Sequence, residues 1–332
     1  MNPNLLEILC CPLCKGELEI GAPLNLLCAR CSASFPILGG IPRLLPARFD
    51  RYTQESFDRE WGELRDVDTA WGIDVQGRIP QILDFLGLRP EQLRGKRLLD
   101  VGCGDGSLSN AIASGLGAEV IAFDLSTGMT RSVRNASAFF IQADATDPPF
   151  KPDSFDVIWA GGSIHHTRDT RETFIALTPL LKPGGRIGIW VYGSAREQTL
   201  RRSAKSYITI GLQKLLFDHL GRSAQDAAIG ALARVGMVKQ DLEERMGIRR
   251  RPKCSLAQKK ARLRDGLTVK YQHQHSRPEV RSWFGDAGLT RINCRRLDGA
   301  VVCYGDREGG LGVRDDRRAA ESPPEWATAP AR

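Results

Sequence analysis

The stretch Leu98-Leu99-Asp100-Val101-Gly102-Cys103-Gly104-Asp105-Gly106 decides the reading of this chain. An apolar run followed by glycines at alternate positions predicts a strand whose following turn brings its backbone very close to a ligand. Asp124 lies 24 residues after Asp100, at the end of the next apolar run, Val120 to Phe123. An acid there is placed to accept hydrogen bonds from both ribose hydroxyls of a nucleoside. The two features together predict an adenosine-containing ligand.

Glycine spacing narrows that ligand. Dinucleotide folds use G-x-G-x-x-G so that a pyrophosphate rests on a helix N-terminus, whereas Gly102-x-Gly104-x-Gly106 is tighter and follows an acid. A carboxylate at Asp100 repels a pyrophosphate and suits an ammonium or a hydroxyl. The segment resembles motif I of class I S-adenosylmethionine (SAM)-dependent methyltransferases, hydrophobic-D/E-x-G-x-G-x-G, and a dehydrogenase is disfavoured by the same spacing. The plain alternative, a glycine turn in an unrelated α/β protein, has to account for further landmarks in the same order.

Asp144, in Ile141-Gln142-Ala143-Asp144-Ala145, matches the acid that in this family accepts the adenine amino group, with the Ala145 amide facing the ring. Phe155-Asp156-Val157-Ile158-Trp159-Ala160-Gly161-Gly162-Ser163 matches the fourth strand, whose C-terminal end lies beside the methyl group, and Leu180-Leu181-Lys182-Pro183-Gly184-Gly185 the turn before the fifth. The resemblance covers about residues 85–305. It implies that Asp100, Gly102, Cys103, Gly104, Gly106, Asp124, Leu125, Asp144, Ala145 and Ala160 surround SAM.

The alternation of strands and helices from Arg97 onward predicts an α/β, Rossmann-like sheet. Strands are expected at Arg97–Val101, Glu119–Phe123, Phe139–Gln142, Phe155–Ala160, Gly185–Val191, Thr290–Arg296 and Ala300–Tyr304. The resemblance implies a seven-stranded methyltransferase sheet with flanking helices, its last strand antiparallel, and the domain is drawn at 96–305. Residues 47–95 are read as a helical cap or linker, 194–276 as a helical insertion between strands 5 and 6, and 306–332 as a charged, aperiodic disordered tail.

Residues 1–46 read as a unit of their own. Cys11-x-x-Cys14 and Cys28-x-x-Cys31 are separated by 13 residues, a spacing that lets two knuckle turns bring four thiolates around one tetrahedral Zn²⁺ with bonds of about 2.3 Å. A redox pair of C-x-x-C motifs is the alternative, and Cys10 is expected to point away. A segment this short cannot hold a core unaided, and a structural metal is the usual remedy. With its Phe35-Pro36-Ile37-x-x-Gly40-Ile41-Pro42 ending, the segment resembles the zinc-ribbon proteins related to the small subunit that activates several tRNA and protein methyltransferases.

At 332 residues, 42% hydrophobic and 26% charged, the chain has the composition of a globular protein, and no run approaches the roughly 18 apolar residues of a membrane span. Its start lacks a basic region before the short apolar patch, so no secretory signal is read, and clustered cysteine pairs suit a reducing, cytoplasmic setting. Net charge is +8, but Arg196 to Lys270 alone carries 18 Lys/Arg against 7 Asp/Glu. That field suits nucleic acid or another acidic partner, or simply a solvated set of amphipathic helices.

Methyl transfer requires in-line positioning of the acceptor and, for a hydroxyl or acidic carbon, removal of its proton. His165 and His166, expected to begin the helix after the fourth strand, and His273 and His275, at the end of the insertion, are the candidate bases; packing or hydrogen bonding is the alternative for each. Gln54-x-x-Phe57-x-x-x-Trp61 resembles the cap helix that closes over the cofactor in related enzymes. The function read here is SAM-dependent methyl transfer to a small-molecule acceptor on oxygen, nitrogen or carbon. Two competitors stand beside it. One is an RNA methyltransferase using the basic insertion, although the fourth strand lacks the N/D-P-P-Y/F motif and Cys31 stands where a zinc-bearing rRNA family tends to use histidine. The other is a non-catalytic SAM-binding scaffold.

Overall fold

The computed structural model describes residues 3–64, 74–133, 136–197, 211, 217, 219–247, 253–297 and 299–309. A short helix α1 (Pro3–Ile8) leads into four small strands, β1 (Leu18–Gly21), β2 (Asn25–Cys28), β3 (Ser34–Leu38) and β4 (Ile41–Leu44). Helices α2 (Arg51–Glu63) and α3 (Val75–Leu86) follow. Asp50 caps α2, its side chain accepting from Thr53 N, and Gly87 ends α3 in the left-handed conformation, the usual polar start and glycine stop of a helix.

The alternating segment then unfolds as β5 (Arg97–Val101), α4 (Ser107–Leu116), β6 (Glu119–Asp124), β7 (Phe139–Ala143), β8 (Phe155–Gly161), α5 (Thr170–Leu177) and β9 (Leu181–Tyr192). Two helices of the insertion, α6 (Arg222–Arg245) and α7 (Leu256–Leu267), precede α8 (Arg277–Asp286), β10 (Thr290–Leu297) and β11 (Ala300–Asp306). Capping boxes, Ser255 with Gln258 and Ser276 with Glu279, set the starts of α7 and α8. Of the expected helical insertion, residues 198–210, 212–216, 218 and 248–252 lie outside the described residues, as do residues 310–332 of the tail expected to be disordered from 306; the start of that tail is corrected, because Asp306 is fully buried and ends β11.

Strand order is β1-β2-β3-β4-β7-β6-β5-β8-β9-β11-β10. β11 is antiparallel to both of its neighbours, as expected of the last strand. The expectation of seven strands is corrected: among the described residues the sheet has eleven. The reason is the parallel pairing of β4 with β7, Arg43 opposite Gln142 and Leu44 opposite Ala143, which joins the N-terminal strands to the edge of the sheet. A guanidinium N–H of Arg43 also donates to Gln142 Oε1 at 2.9 Å.

Alternate residues of the central strands point to opposite faces, and both faces are covered. Leu99, Val101, Ile121, Phe123, Ile158 and Ile189 pack under α5, α8 and the N-terminal module, in one cluster with Leu9, Cys11, Leu26 and Phe35. Leu98, Val120, Ala122, Val157 and Trp159 pack against α3 and α4. The small N-terminal unit thus borrows the core it cannot build alone. A second correction concerns the chain after β8: Ile164–His166 form a 3₁₀ turn, and α5 starts only at Thr170, where Asp169 caps it.

No helix of the described residues is long and apolar enough to cross a membrane.

Candidate functional site

Neighbours β5 and β8 run from a point where the chain winds outward in both directions, so a crevice opens beyond their C-terminal ends. A cavity of about 1010 Å³ lies there, lined by the ends of β5 to β9, by α2 and α3, and by Asp265, Lys270 and Tyr271. That volume is at the upper end for a ligand site, room for a nucleoside and a second molecule.

Of the ten residues expected around a cofactor, Asp100, Gly102, Cys103, Asp124, Leu125, Asp144 and Ala145 line this cavity, while Gly104, Gly106 and Ala160 do not. Gly102, at φ +74°, leaves no space for a Cβ, which would run into Ser163. Gly104, at φ +61°, is covered by the indole of Trp61 from α2; its missing side chain admits a cap residue rather than open solvent. Gly106 ends the turn and precedes α4.

Asp124 holds the turn together. Its Oδ2 accepts from Gly104 N at 2.8 Å, and its Oδ1 from Ser126 N and Oγ at 2.8 and 2.7 Å. Burial raises its pKa, against the pull of these hydrogen bonds. Asp100 accepts from Ser109 Oγ at 2.6 Å, and burial lifts its pKa to about 6. Asp144 Oδ1 accepts from Thr146 N and Oγ1. The three acids end neighbouring parallel strands; a spacing of one βαβ unit relates Asp124 to Asp100, and Asp144 was expected from the family resemblance.

Among the four histidines, only His166 lines the cavity. Its Nδ1 lies 2.9 Å from the Tyr271 carbonyl and its Nε2 3.2 Å from Asp265 Oδ1. Asp265 Oδ2 in turn accepts from the Tyr192 hydroxyl at 2.5 Å. Both ring nitrogens of His166 face oxygen acceptors, of which a neutral ring donates to one and an imidazolium to both, tying α7 and residue 271 to the sheet. His165 is fully buried, its ring centre 4.1 Å from that of Tyr192 and 4.2 Å from that of His166 with the planes tilted, neither nitrogen is hydrogen-bonded, and burial holds its pKa well below the usual value. His275 bridges Glu279 and Thr170 at 2.8 and 2.9 Å, a brace between α8 and α5. His273 Nε2 sits within 3.2 Å of the Thr167 and Arg168 carbonyls.

The roof over the crevice is α2, with Phe57 edge-on to His166 at 5.3 Å and both Phe57 and Trp61 in the lining. Charges tie it to the insertion. Glu63 meets Lys260 and Arg264 at 3.2 and 3.0 Å, Asp226 meets Arg264 at 2.6 Å and Arg59 at 3.4 Å, and Lys270 meets Asp50 at 2.9 Å. Part of the basic stretch is thus engaged inside the molecule. Sequence reading missed Thr53, Glu60, Arg78, Asp265 and Tyr192 in the lining. An available signal was Glu60, a carboxylate on the same helical face as Phe57.

In the N-terminal module, the four Sγ atoms of Cys11, Cys14, Cys28 and Cys31 lie within 4.8 Å of one another, and Cys10 is outside the group. Cys11 and Cys31 Sγ are 3.7 Å apart, Cys14 and Cys28 Sγ 3.4 Å, close to the edge of a tetrahedron with metal–sulfur bonds of about 2.3 Å. Backbone amides of Leu13 and Cys31 point at Cys11 and Cys28 Sγ, and the latter contact holds the Cys28 thiol down to about 6. A Cβ at Gly16 would sit 3.1 and 3.2 Å from Cys28 and Cys14 Sγ, so a glycine there lets the four sulfurs close into a group that could hold a metal ion.

The strand order, the crevice at the reversal point and the acid-ended strands define a Rossmann-like methyltransferase α/β fold built on a large mixed sheet. Residues 99–189 match the model of the family described as a methyltransferase domain. The chain is 37% identical over 119 residues to the demethylmenaquinone methyltransferase of Clavibacter sepedonicus, covering 34% of this chain and 48% of that protein. It is 30% identical over 181 residues to the chloroplastic tocopherol O-methyltransferase of Arabidopsis thaliana, covering 47% and 52%. The chain spans about half the length of the curated relatives it matches. Among solved structures, it resembles the 1,6-didemethyltoxoflavin N1-methyltransferase of Burkholderia thailandensis with a TM-score of 0.46 at 12% identity, over 88% of this chain and 100% of that one.

Proposed function

We propose that this protein is a SAM-dependent methyltransferase acting on a small-molecule acceptor. The observation that carries the reading is the crevice beyond β5 and β8, into which Asp100, Asp124 and Asp144 converge from three adjacent strand ends. When bound there, SAM supplies an activated methyl group. Asp124 is placed to take the ribose hydroxyls and Asp144, with Ala145, the adenine edge. Phe57 and Trp61 close the roof and exclude water. A small acceptor is supported by the size of the cavity and by the printed activities of the relatives, which name quinone and tocopherol methylation.

Calorimetric titration with SAM tests the reading. Saturable binding supports it, and no binding at millimolar SAM overturns it. For the four cysteines we propose a structural Zn²⁺, since four thiolates leave no position for water. One zinc per chain by atomic absorption is expected. The thiol-rich site fits a reducing compartment, and we read the protein as cytoplasmic.

A further inference from the structure

Deprotonation of an acceptor needs a group that faces the cavity and is not already committed. Both nitrogens of His166 lie within 3.2 Å of protein oxygens, and His165, His273 and His275 are not in the lining. Asp100, Asp124, Asp144 and Asp265 each accept from a neighbouring hydroxyl or amide. Glu60 differs. It lines the cavity from α2, is 2% exposed, and its Oε2 is fully buried without a hydrogen-bond partner. Seven residues earlier, Thr53 also lines the cavity, and its buried Oγ1, beside the Asp50 carboxylate, makes no well-formed hydrogen bond. A separation of seven places the two on one face of α2, two turns apart. A buried polar atom left without a hydrogen bond is costly, so this face suits a polar occupant.

The charges around Glu60 come from two other elements. Asp124 at the end of β6 and Asp265 on α7 repel its ionised form, Arg264 on α7 opposes them, and burial outweighs all three; the combined effect raises its pKa well above that of a free carboxyl. Asp265 is itself paired with His166.

Resting on the reading of the site as one for SAM, we propose that Glu60 is the group that answers the positive charge of a bound methyl donor, presenting a carboxylate to the acceptor only once the donor is in place. The accounting balances. One positive charge enters the cavity and Glu60 releases one proton to solvent. The resulting carboxylate then takes the proton that an O–H, N–H or acidic C–H acceptor must lose when it is alkylated. The order matters, because a carboxylate formed in the empty cavity would face Asp124 and Asp265 with no cation to offset them.

Titration calorimetry at pH 7.5 in phosphate and in Tris, whose ionisation enthalpies differ, counts the protons released on binding. SAM and its neutral thioether product S-adenosylhomocysteine share the ribose, so contributions from Asp124 appear with both. Glu60 predicts an excess of up to about one proton for SAM over the thioether. That excess disappears in Glu60→Gln, and in the unaltered protein it shrinks as the pH is raised, which needs no variant. Equal proton counts for the two ligands, or an excess that persists in Glu60→Gln, overturn the assignment while leaving the cofactor reading intact. Failure of the unaltered protein to bind either ligand overturns the cofactor reading, and the assignment with it.

Discussion

Arg186 on β9 and Asp306 on β11 form a two-pronged ion pair inside the protein, Nε to Oδ1 at 2.6 Å and Nη2 to Oδ2 at 2.9 Å, with Arg186 only 1% exposed. The remaining Nη1 donates to the Leu86 and Gly87 carbonyls at 2.8 and 2.9 Å, and the guanidinium lies 4.6 Å from the Tyr304 ring centre. The pair therefore joins the antiparallel last strand to both its neighbour and the C-terminal end of α3.

Removing one partner strands the other charge in the interior. Asp306→Asn is expected to lower stability by about 3–5 kcal/mol, read from the urea midpoint. Replacing Arg186 and Asp306 together by apolar residues of similar size should cost less than the single change, because the charge left without its partner is Arg291, whose Nε lies 2.7 Å from Asp306 Oδ2 and whose side chain reaches solvent.

Asp100 makes stability depend on pH in a direction opposite to that of a salt-bridged acid. Its pKa is raised from 3.8 to about 6 in the folded state, so between these values the folded protein holds a proton that the unfolded chain has lost. Stability from this group falls as pH rises through that window, by up to about 3 kcal/mol at 1.36 kcal/mol per unit. Asp100→Asn should flatten that part of the profile, measured by denaturant unfolding from pH 4 to 7.

Asp124→Ala removes the acceptor that organises Gly104 and Ser126 together with the proposed ribose contact. SAM affinity should drop at least about tenfold, or about 1.4 kcal/mol, with the fold retained by circular dichroism. Unchanged affinity would argue against the ribose role.

Trp61 and Gly104 are matched in shape. Gly104→Ala should either displace α2 or unfold the turn, since both the positive φ and the indole oppose a Cβ. Trp61→Ala opens the space and should recover part of the loss, though not the backbone strain. Tryptophan fluorescence and thermal melting of the single and double variants distinguish these outcomes.

Cys14→Ser is expected to abolish stoichiometric metal binding and to lower the melting temperature of the whole protein. The module contributes Cys11, Leu26 and Phe35 to the main core, so its loosening cannot stay local.

The sheet was legible in the sequence because burial on both faces writes continuous apolar runs, and acids ending those runs marked one side of the crevice. Asp100 and Asp124 follow from that logic, and Asp144 from the family resemblance. Glu60, Asp265 and Tyr192 do not, since they meet from three elements far apart in the chain and share no spacing. The histidines show the limit most clearly: their clustering near β8 and residue 275 was visible, but which ring nitrogens are already engaged depends on Tyr271, Asp265, Thr170 and Glu279. The eleven-stranded count was missed because pairing of β4 with β7 has no local signature in either strand.

That pairing bears on how the chain is made. β7 would otherwise be an outer strand with unsatisfied amides and carbonyls, the kind of rim along which copies of a protein stick to one another. β4 covers it, but its partner is synthesised nearly a hundred residues later, Arg43 lying 99 positions before Gln142. β4 thus leaves the ribosome well before the strand it guards, and a shortened chain beginning at the glycine turn would emerge with that rim bare.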